Sequence, residues 1–105
     1  MQPTTVNLNN EQVAAGLKEG RIVLVDVREP YEFEAGHIPG SINLPLSSFD
    51  VSALPFEDGK TMVLSCQAGR RSQQAMDYAR AQGVDASHHL AHGFGGWAKA
   101  GYPVE

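Results

Sequence analysis

The sequence predicts an α/β fold in which a central parallel sheet is flanked by helices on both faces. Two compact apolar runs, residues 22–25 and 61–65, have the composition of strands that are buried on both faces. Each run is followed by a stretch with helical character, and strands that alternate with helices form parallel sheets. A length of 105 residues suits one domain, over residues 1–105, that needs no metal or disulfide to build a core.

The first quarter of the chain is predicted to place a helix on either side of the first strand. One helix begins near Asn9, whose side chain suits a helix N-cap, and ends before Gly20. The strand of residues 22–25 follows. A shorter helix is expected over residues 30–35, with Pro30 suited to its first turn.

The middle of the chain has the weakest pattern. Residues 41–44 are expected to form a short strand, because a glycine and a proline bracket them. Residues 47–60 are expected to hold a short helix and a loop, with a turn at Asp58-Gly59.

The second half of the chain repeats the strand–helix pattern. After the strand of residues 61–65, a helix is expected over residues 72–82, and a third strand over residues 86–90. A last helix is expected around Trp97, which should pack in the core with Phe94. Three apolar residues share one face of the 72–82 helix: Ala75, Met76 and Ala79.

Charge and cysteine content narrow the class of function. The formal net charge of −4 disfavours binding to nucleic acid or to an anionic membrane surface. The single cysteine cannot form an intramolecular disulfide, so nothing requires an oxidising compartment. Residues 1–5 lack the pattern of a signal peptide, and the apolar runs are too short to span a bilayer. We therefore expect a cytoplasmic protein.

Cys66 lies in the segment with the strongest chemical signal, residues 64–72. It follows a predicted strand, and sites in parallel sheets lie beyond the carboxyl ends of the strands. The chain must then turn into a helix, and such a turn directs several backbone N–H groups to one hollow, where they attract anions. Arg70 and Arg71 add positive charge, and Gly69 permits a positive φ. All of these effects favour the thiolate over the thiol.

The alternative for Cys66 is a buried structural cysteine, since free cysteine is among the most buried residue types. The sequence around it is rich in glycine and arginine rather than apolar, and it lies at a strand-to-helix junction. This context favours a nucleophile.

The loop has the pattern Cys-x-x-Gly-x-Arg-Ser over residues 66–72, which resembles the active-site loop of rhodanese-like sulfurtransferases. Two other parts of the chain resemble the signatures at the two ends of that family's domain. Residues 26–29, 32–33 and 36–43 resemble its N-terminal signature, and residues 93–97 and 101–104 resemble its C-terminal end. The resemblance implies a rhodanese-like fold over nearly the whole chain.

The resemblance also implies a reaction. A small anionic donor such as thiosulfate would pass a sulfur atom to Cys66, and a thiol or cyanide would then remove it from the resulting persulfide. A protein thiol is a further candidate acceptor. The implied donor-binding loop follows Cys66 directly, and no metal or organic cofactor is implied. Its residues are Gln67, Ala68, Gly69, Arg70 and Arg71.

The length of the loop separates two related chemistries. Four residues lie between Cys66 and Arg71, whereas cysteine phosphatases place five between nucleophile and arginine. The longer loop makes a wider cradle for a tetrahedral phosphate. The shorter loop therefore favours sulfur transfer over a phosphatase or an arsenate reductase.

Two other hypotheses remain beside sulfur transfer to small acceptors. One is a persulfide relay or sulfide-sensing module that passes its sulfur to a partner protein. The other is a catalytically silent binding domain, because a fold does not determine a function. The intact loop argues against the silent domain.

Several charged residues near the loop have structural as well as functional interpretations. Asp26 and Arg28 follow a buried strand and are expected to form an ion pair or to tether a loop. Arg71 is expected either to hold the loop through a carboxylate such as Asp26 or to contact the anion. Arg70 is the better candidate for contact with substrate.

The four histidines are not expected to form a metal site. His37 lies in a Gly-His-Ile-Pro-Gly turn, where a hydrogen-bonding role is expected. His88 and His89 should point to opposite faces of a strand, which disfavours a metal site that includes His92. The family usually has a glycine at the position of His92, so this side chain is expected near the mouth of the site.

Overall fold

Five parallel strands form one sheet in the computed structural model, which describes residues 5–105. Residues 1–4, which belong to the segment predicted to lack a signal peptide, lie outside the described residues. The strands are β1 (Val6–Leu8), β2 (Ile22–Asp26), β3 (Ile42–Asn43), β4 (Thr61–Ser65) and β5 (His88–Leu90). They lie in the order β1-β5-β4-β2-β3, so β4 is the central strand. The predicted α/β class with a parallel sheet is confirmed.

Four helices cover the two faces of this sheet. They are α1 (Asn10–Lys18), α2 (Pro30–Ala35), α3 (Arg70–Ala81) and α4 (Gly93–Lys99). The Asn9 side chain accepts a hydrogen bond from the Gln12 N–H at the start of α1, and the Gln12 side chain accepts one from the Asn9 N–H. This reciprocal capping box explains the predicted helix start. The bounds of α2 are those predicted.

The alternation of side chains along the strands divides the core into two layers. Leu24 and Val63 pack on the face covered by α1 and α4, together with Trp97. Val25 and Leu64 pack on the opposite face, which is covered by α3. Helices therefore flank both faces, as predicted. The predicted apolar face of α3 is confirmed, since Ala75, Met76 and Ala79 are all fully buried.

Four local predictions need correction, and one strand was missed. β3 covers only two of the four residues predicted for the short strand 41–44. β1 was not predicted, because a three-residue edge strand is too short to show the alternation of apolar and polar residues that identifies a strand. α3 begins at Arg70 rather than at Ser72, so both loop arginines belong to its first turn. β5 covers only three of the five residues predicted for the third strand. Residues 46–53 contain two 3-10 helices, Leu46–Ser48 and Val51–Ala53, where one short helix was expected.

The register between the two central strands determines what surrounds the candidate nucleophile. Asp26, the last residue of β2, is paired with Ser65, the last residue of β4. Cys66 therefore leaves the sheet next to the start of the chain segment that includes Arg28. Both polar segments lie at the carboxyl edge of the sheet, where sites in parallel sheets are found.

None of the helices formed by residues 5–105 has the length and apolar character needed to cross a lipid bilayer.

Replacing Leu64 tests the central strand. Leu64 is fully buried in β4, so Leu64→Ala should lower the free energy of unfolding by about 2–5 kcal/mol through loss of contacts and a residual cavity. Urea denaturation measures this loss. Val104→Ala is the control, since Val104 is 49% exposed and should change stability by less than about 0.5 kcal/mol. Similar losses in the two variants would contradict the assigned core.

Candidate active site

Cys66 lies directly after β4 and beneath the loop that leads to α3. Only 1% of its surface is exposed. Its Sγ atom accepts a hydrogen bond from the Gly69 N–H at 3.0 Å and lies 3.6 Å from the Ser72 Oγ. A backbone donor is thus directed at the sulfur, and hydrogen bonds to a charged acceptor are stronger than those to a neutral one.

Gly69 makes the sharp turn of this loop possible. Its φ of +96° lies in the left-handed region, which favours glycine. A Cβ atom at this position would also lie 2.2 Å from the carbonyl oxygen of Ala91. Both conditions exclude a side chain here, and they hold the Gly69 N–H on the sulfur. The turn makes Gly69 the N-cap of α3, which explains why that helix begins earlier than predicted.

The first turn of α4 holds the loop from the other side. The Phe94 N–H donates to the carbonyl oxygen of Cys66 at 2.7 Å, and the Gly95 N–H donates to that of Gln67 at 2.9 Å. A Cβ atom on Gly93 would lie 2.4 Å from the Cys66 carbonyl oxygen. The glycine-rich start of α4 is thus part of the site. The sequence analysis did not include it, although the cluster of three glycines was a usable signal.

Several loop N–H groups are left without a protein acceptor. Among residues 5–105 no hydrogen bond satisfies the backbone N–H groups of Gln67, Ala68, Arg70 and Arg71. The last two belong to the first turn of α3, where a helix has no internal acceptor for its N–H groups. These groups and the positive end of the helix dipole suit an anion.

Arg71 forms an ion pair with Glu32 of α2. Its two Nη atoms lie 2.6 and 3.0 Å from the two carboxylate oxygens. The hydrogen bond from Arg71 lowers the pKa of Glu32 from 4.5 to about 2, and the same pair raises the pKa of Arg71. The predicted contact of Arg71 with a carboxylate is therefore confirmed, although the carboxylate is that of Glu32 and not that of Asp26. The Asp26 carboxylate is occupied by Arg28 instead.

Arg70 differs from its neighbour. It is exposed, and within residues 5–105 its guanidinium forms no ion pair or hydrogen bond. Successive residues on a helix point in directions about 100° apart, and Arg70 does not share the Glu32 partner of Arg71. The Arg70 guanidinium is therefore available to an anionic ligand, and the contact of Arg70 with substrate stays a prediction.

The predicted ion pair of Asp26 and Arg28 is confirmed and lies in the core. The Arg28 Nε and Nη2 atoms bond the carboxylate at 2.8–3.1 Å, and Nη2 also donates to the Gly36 carbonyl oxygen at 2.7 Å. The guanidinium lies 4.3 Å from the centre of the Phe94 ring, and Nη1 lies 3.5 Å from the Gln67 Oε1. Phe94 is thus only partly a core residue, since one face of its ring contacts a cation.

The histidines lie in separate surroundings. His37 stacks on Phe33 at 3.9 Å and bonds its carbonyl oxygen, which is the structural role predicted. His89 is buried beside Ser72 of α3, whereas His88 faces α1 across the sheet, so their predicted opposite orientation is confirmed. His92 is exposed before α4. The described residues contain no group of three or more histidine, cysteine or acidic side chains arranged to hold a metal ion.

A cleft of about 500 Å³ lies far from Cys66, at the amino edge of the sheet. It is lined by Ile22 and Thr61, the first residues of their strands, and by His88. Its lining includes no cysteine, so the candidate site remains the loop of Cys66.

Comparison with known families and sequences gives the following matches. Residues 9–100 match the family model of the rhodanese-like domain. An uncharacterized Synechocystis protein is 44% identical over 87 residues, which are 83% of this chain and 49% of that protein. The uncharacterized Bacillus subtilis protein YqhL is 38% identical over 90 residues, which are 86% of this chain and 70% of YqhL. The chain thus spans about half the length of the Synechocystis relative.

Solved structures show the same fold. A rhodanese-related protein from Thermoplasma volcanium has a TM-score of 0.77 and 28% identity, with 95% of this chain and 97% of that chain covered. A Rhodopseudomonas palustris protein has a TM-score of 0.78 and 31% identity, covering 96% and 85% of the two chains. That protein is described as one of unknown function and a possible tyrosine phosphatase.

Replacing Gly93 tests the support that α4 gives to the loop. Gly93 has a φ of +62°, and a methyl group there would collide with the backbone of Cys66 and Gln67. Gly93→Ala should therefore lower the free energy of unfolding, measured in urea, by clearly more than Gly83→Ala does. The control has a similar φ of +81° but open space around it, so it should lose roughly 1–2 kcal/mol of backbone strain alone. Equal losses would contradict the close contact.

The Arg71–Glu32 pair should make stability depend on acid pH. The pKa of Glu32 is lowered in the folded protein, so the pair stabilises the fold at pH above 4.5 and this contribution is lost as the pH falls towards 2. Denaturation over this range should show a shallower loss of stability in Glu32→Gln than in the wild type. Glu34→Gln, which changes an exposed carboxylate of the same helix, is expected to follow the wild type. Parallel profiles for Glu32→Gln and the wild type would show that the pair contributes nothing.

Proposed function

The chain belongs to the rhodanese-like domain family, and we propose that it is a sulfurtransferase of the thiosulfate type. In this proposal a sulfane sulfur moves from a small, thiosulfate-like anionic donor to a thiol or cyanide through a persulfide on Cys66. The observation that carries the proposal is the hydrogen bond from the Gly69 N–H to the sulfur, with N and Sγ 3.0 Å apart. It lies in a loop whose other N–H groups have no acceptor among residues 5–105.

The first half of the reaction requires a thiolate and a place for negative charge. The Cys66 thiolate attacks the sulfane sulfur of the donor, and the bond between the two donor sulfurs breaks, so that sulfite leaves with the bonding pair. Donor and nucleophile are both anions, and their repulsion must be offset. Arg70, which is exposed and lacks a protein partner among residues 5–105, is suited to this purpose.

In the second half the acceptor attacks the outer sulfur of the persulfide, and the bond to the Cys66 Sγ breaks. When cyanide is the acceptor, the product is thiocyanate, and the thiolate of Cys66 is regenerated. The persulfide bears its negative charge one atom beyond Sγ, where the N–H groups of residues 67–71 are suited to stabilise it. The near-complete burial of Cys66 supports a small transferred group.

Two observations favour sulfur transfer over phosphate chemistry. The loop has four residues between Cys66 and Arg71, which makes a narrower cradle than a phosphatase requires. Both oxygens of Glu32 also engage Arg71, so this guanidinium is not directed to a ligand. The Rhodopseudomonas palustris neighbour described as a possible tyrosine phosphatase makes hydrolysis of an aryl phosphate a necessary control.

The proposal extends to location and partners. A lone cysteine cannot form an intramolecular disulfide and stays a free thiol in a reducing compartment, so we propose the cytoplasm. Donor and acceptor are small molecules in this proposal, and a protein thiol as acceptor would make the domain a persulfide relay with the same chemistry at Cys66. Neither version includes nucleic acid or membrane as a partner.

Intact-mass measurement tests the proposal. Brief incubation with thiosulfate should add one sulfur, about 32 Da, to the wild type, and cyanide should remove it. Cys66→Ser should gain nothing, because the hydroxyl group is a far weaker nucleophile at neutral pH. Release of thiocyanate should follow the same pattern.

Arg70→Gln extends this measurement to the donor. It should gain sulfur from thiosulfate more slowly, while Lys99→Gln, which changes another exposed cation, should behave as the wild type. The proposal would be overturned by the absence of an adduct from thiosulfate, mercaptopyruvate and a persulfide donor. It would also be overturned by rapid hydrolysis of an aryl phosphate that depends on Cys66.

A further inference from the structure

A continuous line of polar side chains lies behind Cys66, on the face of the sheet covered by α3. Ser72 is fully buried, and its Oγ atom lies 3.6 Å from the Cys66 Sγ and 2.8 Å from the His89 Nδ1. On the other side of the imidazole, the His89 Nε2 lies 2.8 Å from the Asn7 Oδ1. The line therefore crosses from β1 through β5 and α3 to the thiol.

The chemistry of these groups determines where the protons lie. The oxygen of an amide only accepts hydrogen bonds, so His89 donates to Asn7 from Nε2. Burial lowers the pKa of His89, and the nearby charge of Arg80 lowers it further, so the resting ring is neutral. Its Nδ1 atom is then an acceptor, and the Ser72 hydroxyl is its donor.

The orientation of Ser72 follows from this assignment. Its proton has two acceptors, the His89 Nδ1 at 2.8 Å and the Gly69 carbonyl oxygen at 3.1 Å, and the nearer one is the imidazole. A hydroxyl that donates to His89 presents its lone pairs to Cys66. The thiol S–H is therefore directed to an acceptor that is itself connected to a base.

We infer that His89 is a positioning residue that acts through Ser72 to accept the proton of the Cys66 thiol. The S–H proton passes to the Ser72 Oγ while the Ser72 hydroxyl proton passes to the His89 Nδ1. The products are a thiolate and an imidazolium, and no electron is transferred. The new Ser72 hydroxyl proton then points to the thiolate and supplements the N–H of Gly69.

The surrounding charges suit a transfer that is readily reversed. Arg71 is close enough to the Cys66 thiolate for the two charges to attract, which favours the product. Arg80 opposes the imidazolium, and the partner of Nε2 is the neutral amide of Asn7 rather than a carboxylate. His89 can therefore return the proton. This role depends on the proposed nucleophile, Cys66, and gives His89 a function that the sequence did not indicate.

The variant His89→Gln separates proton acceptance from packing. Glutamine retains an amide donor and acceptor for Asn7 and Ser72, but it cannot take up a proton. His88→Gln is the matched control, because His88 is the adjacent residue on the opposite face of β5. The readout is the pH midpoint of the thiolate ultraviolet absorbance. Cys66→Ser serves as the blank, since Cys66 is the only cysteine.

The midpoint should rise by about one pH unit in His89→Gln, which means about tenfold less thiolate at a pH below both midpoints. His88→Gln should keep the wild-type midpoint. An unchanged midpoint in His89→Gln would overturn the inference.

The transfer through Ser72 can be tested with a double-mutant cycle. Ser72→Ala should also raise the midpoint, and adding His89→Gln to Ser72→Ala should change nothing more, because the connection is already broken. If His89→Gln shifts the midpoint equally in both backgrounds, His89 does not act through Ser72, and the inference is overturned.

A measurement on unaltered His89 covers the case in which His89→Gln does not fold. The ¹⁵N chemical shifts of the His89 ring should change at the pH where Cys66 titrates in the wild type, and this change should be absent in Cys66→Ser. Identical His89 titrations in the two proteins would overturn the inference. This titration uses no sulfur donor, so it is independent of the sulfur-transfer test. If His89 and Cys66 titrate together but no sulfur adduct forms, the proton transfer to His89 is retained and the sulfurtransferase proposal is rejected.

Discussion

The buried ion pair of Asp26 and Arg28 is the interaction on which the site depends. Removing two charges from water is costly, and such a pair is tolerated only where further hydrogen bonds satisfy it. Here the guanidinium also bonds the Gly36 carbonyl oxygen and lies against the ring of Phe94. One side chain therefore joins the end of β2 to the turn after α2 and to the first turn of α4.

The first turn of α4 supports the Cys66 loop without occupying the N–H groups of that loop. Phe94 and Gly95 hold the loop through the carbonyl oxygens of Cys66 and Gln67. Attachment through carbonyl oxygens leaves the N–H groups of the loop for an anion, and the fixed Gly69 N–H remains on the sulfur. A rigid hollow of this kind requires no reorganisation when negative charge develops in it, which is the basis of electrostatic stabilisation.

The burial of Cys66 places its thiol beside the polar side chains of Ser72 and His89. The Cys66 side chain has two environments, with the loop N–H groups on one side and Ser72 with His89 on the other. The first stabilises negative charge on sulfur, and the second offers a destination for the proton. In a buried site both are needed, since little water surrounds the sulfur to stabilise its charge or to take up its proton.

The sequence by itself determined most of the elements and the place of the candidate nucleophile, because local patterns suffice for both. The buried strands β2 and β4, the bounds of α2 and the position of Cys66 after a strand follow from apolar runs, a proline and glycines within a few residues. The tertiary structure alone decided the pairing of distant polar groups. Arg71 contacts Glu32, which is 39 residues away in the chain, and His89 contacts Asn7, which is 82 residues away. Asn7 also lies in a three-residue edge strand, which is too short to show an alternation of apolar and polar residues. The physical reason is that a helix or strand is specified by its own neighbours in the chain. The partner of a buried charge or hydrogen bond is specified instead by which strands lie side by side in the sheet.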